Sequence, residues 1–251
     1  MTTRIPKKLG KEPLIDVICG VNFDSDIPAE TLLPGLLLQK LVGKQPKFET
    51  LPMAQLPQTI RDSDPNLKNA PLMRIVVDDQ FTILIGSKWL GVGCQMPYAG
   101  WLAFSEMILT VFKVLSDLPS VNSVDRHSLK YVDFIKSQGG NKESLSRFNL
   151  KIEIASRILS NQTTHLRTEI VESPFLHAVT IIYPATATQP DRTAIDGVLV
   201  DVDTHRIERF ALNDFLTLLP ALLEEIHTSN KTFFFDLLSE AGLQELEPQY
   251  D

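Results

Sequence analysis

Asp201, Asp203 and His205 fall two residues apart in a strand-like run, and residues at that spacing share one face of a strand. Two carboxylates and an imidazole so placed suit Mg²⁺, Mn²⁺ or Zn²⁺, ions that take oxygen and imidazole ligands. If a further acidic residue converges on them, the chemistry is that of a metal-dependent nuclease or phosphohydrolase. The structural alternative is a polar turn, Asp203-Thr204-His205-Arg206, that ends the strand.

A second face offers cations. Arg126, Ser128 and Lys130 lie on one side of their strand, and His127, Leu129, Tyr131 and Ile135 on the other. A paired Arg and Lys can hold an anionic group, and Trp101, expected nearby at the end of the meander, offers an aromatic anchor of the kind that concentrates binding energy. The competing reading is a solvated face neutralised by Asp125 and Asp133.

Other chemistries lack their spacing. His165, His177 and His227 form no HExxH or HxH pattern, and neither a GxSxG elbow nor a papain-like cysteine context is present. Gly86, Gly91 and Gly93 surround Lys88, yet GxxxxGK[ST] is missing; Gly43-Lys44 is followed by Gln45, where a phosphate loop needs a hydroxyl. These glycines read as hairpin positions. No cofactor is expected.

The elements that must position these residues can be read from periodicity. Leu14 to Phe23 reads as a strand ended by Asp24-Ser25-Asp26. A helix over Ala29 to Leu41 follows, with Pro28 at its start, Pro34 inside and Gly43 past its end. Gln45 to Pro71 carries Pro46, Pro52, Pro57, Pro65 and Pro71 and reads as a long excursion of the functional or mobile kind. Three period-two runs, Met73 to Val77, Phe81 to Ile85 and Trp89 to Gln95, form an antiparallel meander. Trp101 to Leu115 has helical spacing, and Ser123 to Ile135 alternates again before the Gly139-Gly140 loop.

Later strands are expected at Leu150 to Ile158, Leu166 to Glu172, Leu176 to Tyr183 and Ile195 to Val202. Helices at Asn213 to Ile226, kinked at Pro220, and at Lys231 to Ser239 close the chain, and the tail from Glu245 is expected to fray. The fold class is therefore α+β, with antiparallel meanders each covered by a long amphipathic helix. The recurrence of strands followed by a helix suggests two similar halves, 1–140 and 149–251, meeting near Asn141 to Phe148.

Four short runs carry a family resemblance: Pro13-Leu14-Ile15-Asp16-Val17, Tyr98-Ala99-Gly100-Trp101 with Phe104, Leu129-Lys130-Tyr131-Val132-Asp133, and Leu199-Val200-Asp201-Val202-Asp203. In that order they resemble a sporadically distributed bacterial family of uncharacterised proteins of about this length. Where such proteins tend to have Arg-Tyr-Ile-Asn, this chain has Lys130-Tyr131-Val132-Asp133, so a point charge replaces a planar fork. The resemblance implies no activity. A patchy distribution of this kind resembles that of mobile or defence-island genes, which implies a setting in bacterial antiviral defence.

Bulk properties narrow the classes. The 251 residues are 43% hydrophobic and 22% charged, with 16 Pro and 12 Gly, which is ordinary globular composition. Leu14 to Val21 is broken by Asp16 and reads as a strand rather than a secretory signal, and Trp101 to Leu115 is too short and too charged to span a bilayer. Cys19 and Cys94 lie apart in apolar runs, as free thiols do in a reducing cytoplasm. A net charge of -7 disfavours a nucleic acid or nucleotide partner. The expectation is a cytoplasmic, non-enzymatic binding or accessory protein with a protein partner and no membrane. Its docking face would combine Phe48, Leu51, Met53 and Leu56 of the excursion with Arg126 and Lys130.

Overall fold

The computed structural model describes residues 5–64, 67–137, 144–188 and 193–250. The Gly139-Gly140 loop and residues 141–143 of the expected junction between halves lie outside these residues. The chain divides into two compact units, each built from separated stretches: the first from 1–15, Lys130–Thr204 and 227–251, the second from Asp16–Leu129 and His205–Ile226. Each unit thus draws on both sides of the expected junction. Both combine helices with antiparallel sheet, so the class is α+β.

The second unit is built on strands. β2 (Leu14–Ser25) is followed by α1 (Ala29–Lys40), β3 (Lys47–Thr50), a 3-10 turn at Pro52–Gln55 and α2 (Gln58–Ser63). β4 (Met73–Val77), β5 (Phe81–Ile85) and β6 (Trp89–Cys94) form the expected meander, and neighbours run β2-β6-β5-β4-β3. Period-two alternation buries Ile75, Val77, Ile83, Ile85, Leu90 and Val92, since successive strand side chains face opposite ways. α3 (Trp101–Phe112) buries Phe104, Ile108, Val111 and Phe112, one stripe at 3.6-residue spacing. α1 runs through Pro34 and buries Ala29, Leu33 and Leu37; Gly43, at φ +85°, turns the chain after its end. β7 (Val121–Lys136) begins in this unit and is paired there by β13 (Phe210–Ala211), with Phe210 opposite Val124.

The meander's glycines have a packing role. A side chain at Gly91 would place its Cβ 2.3 Å from the Trp89 ring, and one at Gly20, its cross-strand neighbour, 2.8 Å from the Trp89 Nε1. The indole lies across both positions. At Gly86 a Cβ would stand 2.9 Å from the Ala70 carbonyl oxygen, so the missing side chain lets the returning excursion pass against the β5–β6 turn.

The first unit carries β10 (Thr164–Glu172), β11 (Phe175–Thr188) and β12 (Ala194–Arg206) as successive antiparallel neighbours beside the end of β7. Val179, Ile181, Val198, Val200 and Val202 pack with Phe233, Phe234 and Phe235 of α4 (Leu212–Leu237). Three sequence expectations change here. The single strand over Leu150 to Ile158 is a hairpin, β8 (Ile152–Ile154) with β9 (Arg157–Leu159), because Ala155 and Ser156 adopt φ of +49° and +61° and reverse the chain. The two closing helices are one helix of 26 residues that passes Pro220 and continues through His227 to Asn230. Asn230 is a poor helix former in isolation, but its Nδ2 donates to Val202 O at 2.9 Å and Thr204 Oγ1 at 2.8 Å, which holds it against the sheet. The tail does not fray: after α5 (Glu240–Glu245), β14 (Pro248–Gln249) pairs with β1 (Lys8–Leu9), and Lys11 meets Glu247 at 3.0 Å.

Candidate docking cleft

The sequence-derived residues occupy the strands expected of them, but their partners differ. Asp203 to Arg206 remain in β12 and do not form a terminating turn. Asp201 Oδ2 accepts an ion pair from Lys130 Nζ at 2.6 Å, so each of these two groups neutralises the other. Among the described residues, no group of three or more His, Cys, Asp or Glu side chains gathers into an arrangement able to hold a metal ion. His205 is buried. Arg126 is half-buried, with its Nε shut from water and lacking a hydrogen-bond partner. Trp101 begins α3, where its Nε1 donates to Glu224 Oε1 at 2.7 Å and its ring meets Phe104 edge-on at 6.3 Å. That indole is held as a packed edge with its polar tip satisfied.

The excursion from Gln45 to Pro71 adds β3 at the end of the strand order and then folds over as the 3-10 turn and α2. Gln58 and Asp62, one turn apart on α2, line an open cleft of about 460 Å³ together with Lys68, Ser25, Asp26, Pro28, Ser87 and Lys88. Hydrogen bonds tie the lining residues outside the excursion. Ser25 Oγ donates to Ile27 O at 2.7 Å and is 2.7 Å from Ser120 Oγ, while Ala29 N donates to Ser87 O at 2.9 Å and Phe23 N to Lys88 O at 3.1 Å. These bonds fix the start of α1 against the β5–β6 turn.

The charges in the cleft balance. Lys88 is committed to Asp24 at 3.2 Å, and Ser87 Oγ donates to Glu30 Oε1 at 3.0 Å. The side chains of Asp26, Gln58, Asp62 and Lys68 make no hydrogen bond or ion pair within the chain among the described residues. A polyanion would meet two carboxylates and one uncommitted ammonium, so the lining suits a ligand of mixed charge rather than a phosphate chain. The same excursion leaves Phe48 43%, Leu56 37% and Ile60 48% exposed. Leu51 and Met53, expected with them on the surface, are half-buried.

Three buried ionisable groups went unread in the sequence as special positions. His177 is fully buried, stacked on Phe233 at 4.3 Å, with Nδ1 2.9 Å from Thr204 Oγ1 and Nε2 3.5 Å from Ser229 Oγ. Burial lowers its pKa against the opposing pull of Glu172, whose Oε2 lies 3.7 Å away. The stacking of His177 on Phe233, with the Asn230 bonds, ties α4 to the sheet. His127 is buried against Phe210 at 6.5 Å and Phe215 at 5.8 Å, and neither ring nitrogen has a hydrogen-bond partner. Desolvation, with a smaller contribution from the Arg206 charge, holds its pKa at about 4. Asp133, expected on a solvated face, is buried; desolvation, and secondarily the Glu12 charge, push its pKa up to about 8.

No protein-family model matches the chain, and no curated protein matches it.

Proposed function

We propose that this chain is a non-enzymatic binding protein, an accessory component that acts through a protein partner docking on the excursion from Gln45 to Pro71 and the cleft it walls. The observation that carries this reading is the exposure of Phe48, Leu56 and Ile60 along the same segment that supplies Gln58, Asp62 and Lys68 to the cleft. Apolar side chains left in water beside a balanced polar rim are the composition of a protein recognition surface. The family resemblance adds the setting: a bacterial cytoplasm and a role in antiviral defence. A chain that twice runs antiparallel strands into a long helix, β4 to α3 and β10 to α4, also supports an origin by duplication of one half.

The test is affinity capture from host lysate with the wild type and with a Phe48→Ser, Leu56→Ser, Ile60→Ser variant. The three replacements sit at exposed positions, so the thermal midpoint is expected to stay within a few degrees. The expected result is a protein retained by the wild type and lost by the variant. A wild type that retains no protein, or a variant that retains the same one, refutes the reading.

A further inference from the structure

β10 is a nine-residue strand at the end of its sheet: its ladder with β11 runs from Thr164 opposite Tyr183 to Glu172 opposite Phe175. An edge strand presents a row of backbone donors and acceptors that another strand can pair with, and proteins commonly blunt such edges with proline, a bulge or charged side chains, of which β10 carries Arg167, Glu169 and Glu172. β10, with the sequence Thr-His-Leu-Arg-Thr-Glu-Ile-Val-Glu, contains neither proline nor lysine, and its register is unbroken. From His165 onward only Leu166 is not exposed, and Val171 is 73% exposed.

The turn fixes which backbone groups are available. β10 and β11 are joined by two residues, Ser173 and Pro174, so Glu172 and Phe175 close the hairpin as a hydrogen-bonded pair. Bonded pairs then recur at every second residue. Ile170, Thr168, Leu166 and Thr164 direct their amides and carbonyls to β11, and His165, Arg167, Glu169 and Val171 direct theirs outward.

We infer that this edge is the self-association surface of the protein: β10 pairs antiparallel with β10 of a second copy, with Thr168 opposite Thr168. The strand is complementary to its own reversal in that register. Arg167 stands opposite Glu169 of the second copy and Glu169 opposite its Arg167, and opposite charges directly across a ladder stabilise it. Leu166 meets Ile170 on the face where Leu166 already packs against the core, so the second strand extends that core. His165 meets Val171 on the other face. Every outward-facing residue meets another outward-facing residue, so up to about eight inter-chain backbone bonds form in this register.

Neighbouring registers are excluded by charge. Sliding by one pair in one direction sets Arg167 opposite Arg167, and in the other Glu169 opposite Glu169; like charges across a ladder are destabilising. Arg167 and Glu169 make no ion pair within their own chain among the described residues, so both are available to the second copy. The symmetry is the closed two-fold kind, in which one patch is used by both copies. A single strand pair buries less than a standard interface, which sets the expected dissociation constant in the micromolar range. This surface belongs to the first unit and is independent of the docking reading above, which rests on the second.

Sedimentation equilibrium of the full chain over about 1 to 200 μM tests it, since that range brackets a micromolar dimer. The wild type is expected to move from monomer to dimer. Arg167→Glu and Glu169→Arg are each expected to weaken the dimer tenfold or more by setting like charges opposite one another, and the Arg167→Glu, Glu169→Arg double variant to recover it to within a few-fold. Glu169→Pro, which removes an outward N–H that β11 does not use, is expected to leave a monomer with an unchanged circular dichroism spectrum. A wild type that stays monomeric throughout, a dimer indifferent to the single reversals, or a double variant as weak as the singles overturns the inference.

Discussion

Asp133 gives the protein a stability that depends on pH in a direction most carboxylates do not. A surface aspartate titrates near 3.8, whereas burial and the Glu12 charge push Asp133 up to about 8. It therefore folds as the neutral acid at pH 7. An acid whose pKa is raised on folding gives its full stability below the unfolded value, and loses it as pH rises toward and through the folded value. Over that window the loss is about 1.4 kcal/mol per pH unit, or about 3 to 4 kcal/mol between pH 5 and pH 8. That is a large share of the ~5 to 15 kcal/mol that holds a typical domain. Asp133→Asn keeps the shape of the protonated acid and cannot ionise. Urea unfolding of the wild type and of this variant at pH 5 and pH 8 measures the difference directly. The variant is expected to lose about 3 kcal/mol less than the wild type across the interval. A gap between the two proteins that is the same at both pH values refutes the reasoning, because it would mean that Asp133 titrates alike in the folded and unfolded chains.

His127 produces the opposite slope: its pKa of about 4 lies below the ordinary 6.5, so its contribution is intact above pH 6.5 and is lost as pH falls toward 4. His127→Phe is expected to remove up to about 3 kcal/mol of acid sensitivity, read as a flatter dependence of the urea midpoint between pH 7 and pH 4.5. Gly91→Ala drives a methyl group into the Trp89 ring across a 2.3 Å gap and is expected to cost about 1 to 3 kcal/mol, with a shift in tryptophan emission that reports the displaced indole.

Local elements were legible because their signals are local. Alternation over Met73 to Val77, Phe81 to Ile85 and Trp89 to Gln95 needs only the two-residue period of the backbone, and it located β4, β5 and β6 within a residue or so. The apolar stripe from Trp101 located α3, and glycine with proline marked the limits of α1. The excursion was recognisable from its prolines alone, and no transmembrane stretch was expected; no helix among the described residues is long and apolar enough to cross a membrane.

What tertiary structure decided is everything that depends on residues distant in sequence. Helix α4 is continuous through Asn230 because Val202 and Thr204 supply the bonds that the isolated segment lacks. The tail is tied by β1, more than two hundred residues earlier. Lys130 and Asp201 were assigned to separate sites, an anion face and a metal set, and a 2.6 Å contact joins them instead. The cleft gathers Ser25, Gln58, Lys68 and Lys88, four positions with no mutual spacing rule to announce them. Asp133 and His127 carry the same side chains that a solvated face would carry, and burial first, with the Glu12 and Arg206 charges second, shifts their protonation in the folded chain. The sequence by itself determined which stretches become strands and helices, since periodicity is a property of neighbours. Which polar groups meet, and which are taken out of water, was decided by the packing of those stretches, because desolvation and pairing energies depend on distance in space.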